Sequence, residues 1–172
     1  MSAQCLQWLI LTSARSGEAR GATWAEIDLQ AAAWTIPAAR MKAGREHRVP
    51  LSGAALALLA NMPKFVGNDY IFQGQNNNKP LSDMSMTLLM RRMNADAVPH
   101  GFRSTFVDWA AERTNYPPEL REMALAHTLG DKTQAAYQRG DLFERRRALM
   151  ADWAAYIDTP PATGNVVQIR SA

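Results

Sequence analysis

Cysteine is nearly absent: Cys5 is the single one in 172 residues, which excludes a disulfide within the chain and with it the small, stapled, secreted folds. Long apolar runs are also missing. "CLQWLIL" and "AALALLA" are the longest candidates, and neither approaches the ~18 residues that cross a bilayer. The first residues lack the basic start and small-residue cleavage site of a secretory signal. A cytoplasmic location without membrane contact is the expectation. Glycine and proline are modest, at 10 and 9 residues, and 47% of the chain is apolar against 20% charged, which excludes collagen-like and disordered classes. A chain of this size and composition buries a real core, normally in one domain.

Familiar chemical motifs are missing too. His47, His100 and His127 form no HExxH pattern and no cysteine pair exists, so no metal site is expected. Neither a phosphate loop ending in GK[ST] nor a Gly-x-Gly-x-x-Gly turn occurs, so no nucleotide cofactor is expected, and no G-x-S-x-G elbow points to a serine hydrolase. Arginine is what is present. Bases exceed acids by 19 to 16, and a net charge of +3 alone does not indicate nucleic acid. Fifteen of those bases are Arg and four are Lys, and the planar guanidinium fork grips phosphate oxygens through paired hydrogen bonds.

The pattern along the chain is mainly α with a small antiparallel β-sheet, an α+β domain. Residues 3–13 predict a helix, and "ATWAEIDLQ", "AAWTIPAAR" and "REHRVPLS" predict three short strands with a turn near Ala43 and Gly44. Helical spacing resumes after Ser52, with Leu56, Leu59 and Ala60 on one face and a stop at Pro63. "NDYIF" reads as a short extended piece. Ser82 or Asp83 is expected to cap a helix through Met93. A further helix runs from Pro99 to Arg113 on a stripe of Phe102, Phe106, Trp109 and Ala110, and another spans about 118–126. Asp131 with Gln134 and Asp141 with Glu144 resemble capping boxes. The last helix carries Leu142, Leu149, Met150, Trp153 and Ile157, and its "ERRR" run at 144–147 reads as a solvated face. His100 and Arg103, three apart at a helix start, can converge on one anion near the positive end of the helix dipole; a solvated face with a capping histidine is the competing reading.

"TSARSGEARGATWAEID" resembles the first arginine box of the tyrosine recombinases, the phage integrase family, with Arg15 followed three residues later by Glu18. "RMKAGREHRVPLS" resembles the family's lysine hairpin, with Lys42 at the turn. "PHGFRSTFVDW" resembles its His-x-x-Arg box through His100 and Arg103. "LAHTLGDKTQAAYQRGDLFERRRALMADWAAY" resembles the second-histidine and tyrosine boxes, with His127 ten residues before Tyr137. The four boxes stand in the family's order over about residues 10–157. Ala126 departs from the pattern, since many members have Gly before that histidine.

The resemblance implies site-specific recombination of double-stranded DNA through a 3′-phosphotyrosine. Tyr137 is the implied nucleophile, Arg15 and Arg103 the phosphate clamp, and Lys42 the general acid. His100 would accept or share the phenolic proton, or donate to a phosphate oxygen, and His127 would add a hydrogen bond to the phosphate. No metal or ATP is implied, because the phosphotyrosine conserves the ester's energy. Residues 1–158 are expected to form the catalytic domain and 159–172 a flexible tail. The core-binding and arm-binding domains that usually precede it are expected to be missing, leaving an N-terminally truncated fragment. Partners would be DNA and other protomers, a tetramer in the full-length family, with the fragment alone a monomer. Substituting Arg15 or Arg103 is expected to abolish cleavage and spare the fold. Type IB topoisomerase-like relaxation and a non-catalytic DNA-binding module remain open alternatives. Lys42 also suits a guard on a sheet edge, Tyr137 a packed helix residue, and Glu18 either an Arg15 holder or a simple salt bridge.

Overall fold

The computed structural model describes residues 1–76, 78–127 and 141–159. Helix α1 (Ser2–Thr12) buries Cys5, Leu6, Trp8, Leu9 and Thr12, the three-and-four spacing of one helical face. It ends where Ser13 turns left-handed at φ 50°. A one-turn helix α2 (Ser16–Arg20) follows. The sheet is a meander of β1 (Ile27–Asp28), β2 (Ala33–Ile36) and β3 (His47–Pro50), antiparallel throughout, with Trp34 opposite both Ile27 and Val49. Between β2 and β3 the chain makes a turn in which Gly44 sits at φ +63°, a conformation that suits a residue without Cβ.

Helix α3 (Gly53–Ala60) is capped by Ser52, whose Oγ accepts from the Ala55 N–H. Helices α4 (Ser85–Arg92), α5 (Gly101–Glu112), α6 (Pro118–Ala124) and α7 (Phe143–Asp158) complete the described elements. Proline at the first turn of α6 costs nothing, because its missing N–H has no partner there anyway.

Two apolar clusters result. The front one packs α1, the sheet, α3 and α4 around Trp8, Trp34 and Phe72, with the two indoles 5.1 Å apart. The rear one packs α5, α6 and α7 around Phe106, Trp109 and Trp153, where Trp153 meets Phe106 edge-on at 5.5 Å. Each such aromatic pair adds about 1 kcal/mol beyond the area it buries. Ile10 touches both clusters, and its carbonyl accepts from the Trp153 indole N–H at 2.7 Å. The end of α1 is therefore the seam between the halves.

The α+β architecture and the order of elements agree with the sequence, but several local expectations do not. Ala60 is exposed, and α3 buries Ala55 and Leu59 instead. Helix α4 starts at Ser85 without a side-chain cap: Ser82 pairs with the Ser85 hydroxyl, and Asp83 is taken by Arg20. "NDYIF" contributes a single bridge, Thr23 to Tyr70, rather than a strand. Asp141 accepts from the Phe143 N–H at 3.1 Å, but Glu144 turns to Arg147, so the box is half-formed. Ile157 is exposed.

The "ERRR" run is a solvated face only in part: Glu144 and Arg145 are exposed, whereas Arg147 is half-buried and Arg146 is buried. Arg146 is 1% exposed, donating to the carbonyls of Asp141 and Arg48 and pairing with the Asp141 carboxylate at 3.2 Å. Arg147 reaches the Ala31 carbonyl, and Arg48 lies 4.1 Å over the Phe143 ring. Together these bind the start of α7 to the sheet. The Asp131–Gln134 box and Tyr137 lie outside the described residues.

Candidate active site

A cleft of about 400 Å³ opens at the seam, and Arg15, Lys42, His100, Arg103 and His127 all line it. Each arrives by a different local device. Arg15 is the residue before α2, and Glu18 fastens it twice: Oε2 accepts its backbone N–H and Oε1 its guanidinium, both at 2.8 Å. The backbone half of that contact is one arm of a capping box. The carboxylate thus caps the helix and holds the Arg15 side chain at once, and the capping half of that contact was not anticipated from the sequence. Glu18 is 5% exposed, so this pair is partly shielded from water.

Lys42 stands exposed on the turn between β2 and β3, where the Gly44 N–H donates to the Met41 carbonyl. His100 precedes α5 and makes no side-chain cap bond, which leaves its ring exposed at the cleft. Arg103 is different. It is 5% exposed, and its fork donates to the Ser13 carbonyl at the end of α1 and to the Leu125 carbonyl at the end of α6, the latter at 2.9 Å. Helix C-termini carry partial negative charge, so two of them facing one guanidinium favour the cation. Burial, followed by the neighbouring Arg15 charge, still pulls its pKa down to about 10, leaving it protonated at neutral pH.

His127 is delivered by the way α6 stops. Its backbone N–H donates to the Glu122 carbonyl and that of Ala126 to the Met123 carbonyl, the paired bonds of a Schellman turn, with Ala126 left-handed at φ 52°. Glycine favours that conformation, which explains the Gly preference at this position. The ring lies with Nε2 at 3.4 Å from Arg103 and Nδ1 at 2.8 Å from Glu122.

Five of the six proposed catalytic side chains therefore share one cleft, and Tyr137 falls outside the described residues. Residues 1–141 match the family described as phage integrase. The chain belongs to the phage integrase family. Among relatives of this integrase-family chain are the prophage integrases IntA and IntZ of Escherichia coli (strain K12), at 41% and 35% identity. Each alignment covers 90% of this chain but only 38% and 39% of the relative. The integrase of Enterobacteria phage P4 is 31% identical over 87% of this chain and 38% of its own length. The chain thus spans about two-fifths of the length of these curated relatives. No solved structure gives a significant match.

Three features escaped the sequence. Ser104 and Asp108 line the cleft, one and five positions past Arg103. With His100 and Val107 they form one face of α5, so a helical wheel would have found them. Glu122 lies five residues before His127 across a helix end, where no periodicity applies. His47 lies behind the cleft, its Nε2 3.3 Å from the Ala124 carbonyl, and burial together with the Arg146 charge pushes its pKa down to about 4. Its inward direction follows from the strand's alternation with Val49.

No described helix is long and apolar enough to cross a membrane.

Proposed function

We propose that residues 1–158 act as the catalytic domain of a site-specific recombinase that cuts and rejoins double-stranded DNA through a 3′-phosphotyrosine. The observation that supports this best is the gathering of Arg15, Lys42, His100, Arg103 and His127 around one cleft. These five come from four segments far apart in the chain, and packing alone gives no reason for so many basic side chains to converge.

The chemistry runs on these side chains. The Tyr137 oxygen attacks a backbone phosphorus, the new P–O bond replaces the bond to the 5′-oxygen, and the departing 5′-hydroxyl takes its proton from Lys42. A phenol of ordinary acidity is ionised about once in a thousand molecules at pH 7, a cost of roughly 4 kcal/mol before attack begins. His100 accepts that proton as the bond forms. Arg15 and Arg103 stabilise charge building on the non-bridging oxygens, and His127 adds a further contact. Stabilisation of this kind is strongest where donors are fixed beforehand, and Glu18 and the two helix-end carbonyls supply that fixing. Religation reverses the steps on a new 5′-hydroxyl, and assembly with other protomers on paired DNA sites lets strands exchange.

A nicked duplex that loses its 5′-hydroxyl fragment after cleavage tests this reading. The wild-type chain is expected to leave a covalent protein–DNA band on a denaturing gel, and Arg15→Ala and His100→Ala are expected to lose it while still shifting DNA on a native gel. Full adduct yield in both variants would overturn the shared-cleft reading. Supercoil relaxation without exchange between two sites would favour a topoisomerase-like activity instead.

A further inference from the structure

We propose that Glu122 is a positioning residue that clamps the His127 ring, with the Nδ1 proton held by the carboxylate and Nε2 turned toward Arg103 and the cleft. The proposal rests on the reading of the cleft as a phosphodiester site. Its geometry is a chain of three side chains: Glu122 Oε2 lies 2.8 Å from Nδ1, and Nε2 lies 3.4 Å from an Arg103 terminal nitrogen.

A carboxylate can only accept, and a guanidinium can only donate. The contacts at the two ends of the ring are therefore satisfied together by one tautomer, with the proton on Nδ1 and the lone pair on Nε2. Glu122 also holds the backbone of the same residue, since its carbonyl accepts the His127 N–H at 3.0 Å. Main chain and ring are thus tied to one residue across the end of α6. Both side chains are about two-fifths exposed, at 42% for His127 and 41% for Glu122. A pair in that setting adds little to stability, so its effect lies in aiming the ring. When a phosphate oxygen enters beside Arg103, Nε2 takes a proton from solvent and donates to it, while the Glu122 carboxylate balances the imidazolium from the opposite side.

Long-range proton–nitrogen NMR on chain labelled with ¹⁵N-histidine, with the three rings assigned by single substitutions, reads the tautomer without any DNA. Neutral His127 is expected in the Nδ1–H form in the wild type and in Glu122→Gln, whose amide oxygen still accepts. In Glu122→Ala the unclamped ring is expected to swing away from Arg103 and shift to the Nε2–H form, with the melting temperature changed by no more than about 2 °C. On the nicked duplex, Glu122→Ala is expected to lower the cleavage rate at saturating DNA about tenfold. In a His127→Ala background it should lower it no further. An Nε2–H ring in the wild type, an unmoved tautomer in Glu122→Ala, or the same tenfold loss in the His127→Ala background would each overturn the proposal. Wild-type chain that forms no adduct would overturn the cleft reading alone, and the NMR result would still decide the clamp.

Discussion

The two walls of the cleft present the same functional group in opposite settings. On the front wall Arg15 sits with its side chain 25% exposed and answers to a carboxylate that also caps a one-turn helix. On the rear wall Arg103 is buried and answers to backbone carbonyls at the ends of two helices. Arg15 is an attachment to the fold, whereas Arg103 is part of what joins its halves. A cleft arginine can therefore be removed from the front wall with little structural loss, but not from the rear. The sequence treats the two arginines as equivalent, and the burial of Arg103 revises the expectation that its substitution spares the fold.

The largest expected effect is on the rear wall. Arg103→Ala strands the Ser13 and Leu125 carbonyls and should cost about 3 kcal/mol, lowering the melting temperature by roughly 10 °C as well as abolishing cleavage. Thermal unfolding beside Arg15→Ala checks this, and equal melting temperatures would erase the contrast between the walls.

A somewhat smaller effect concerns His47, which braces the rear wall through the Ala124 carbonyl. Its pKa is near 4 in the folded chain, below its ordinary value, so the unfolded chain binds the extra proton. Stability from this residue is full above about pH 6.5 and is lost as pH falls toward 4, by about 2–3 kcal/mol. Urea titrations at pH 7 and 4.5 should show this drop, and His47→Gln should flatten it relative to the wild type.

On the front wall, Arg15→Ala should cost about 1 kcal/mol or less in stability yet lower cleavage about 10²- to 10³-fold. Urea midpoints and adduct yields measured on one preparation separate the two effects. The smallest change is a gain: Ala126→Gly relieves the left-handed strain at the end of α6 and should raise stability by about 0.5–1 kcal/mol, visible as a higher urea midpoint.

Much of this architecture is legible in the residues because it follows periodicity. The buried face of α1, the meander of β1 to β3 and the rear stripe of Phe106, Trp109 and Ala110 are spacings of three, four or two. The cleft was legible through its ordered boxes, not through any single residue. What stayed hidden depends on contacts between distant segments. Arg146 looks like one more surface charge in "ERRR" until the Arg48 carbonyl, 98 positions away in the chain, is seen to receive it. Arg103 likewise reveals its structural role only when Ser13, 90 positions earlier, is placed beside it. The cap of α4 was misjudged because Arg20 competes for Asp83.

Tyr137 is the phenol on which the proposed strand cleavage turns. Protein–DNA adduct formed on the nicked duplex, digested with a protease and sequenced by mass spectrometry, is predicted to carry its nucleotide on Tyr137, with no adduct from Tyr137→Phe. A nucleotide found on Tyr70, Tyr116 or Tyr156, or an undiminished adduct from Tyr137→Phe, would contradict it.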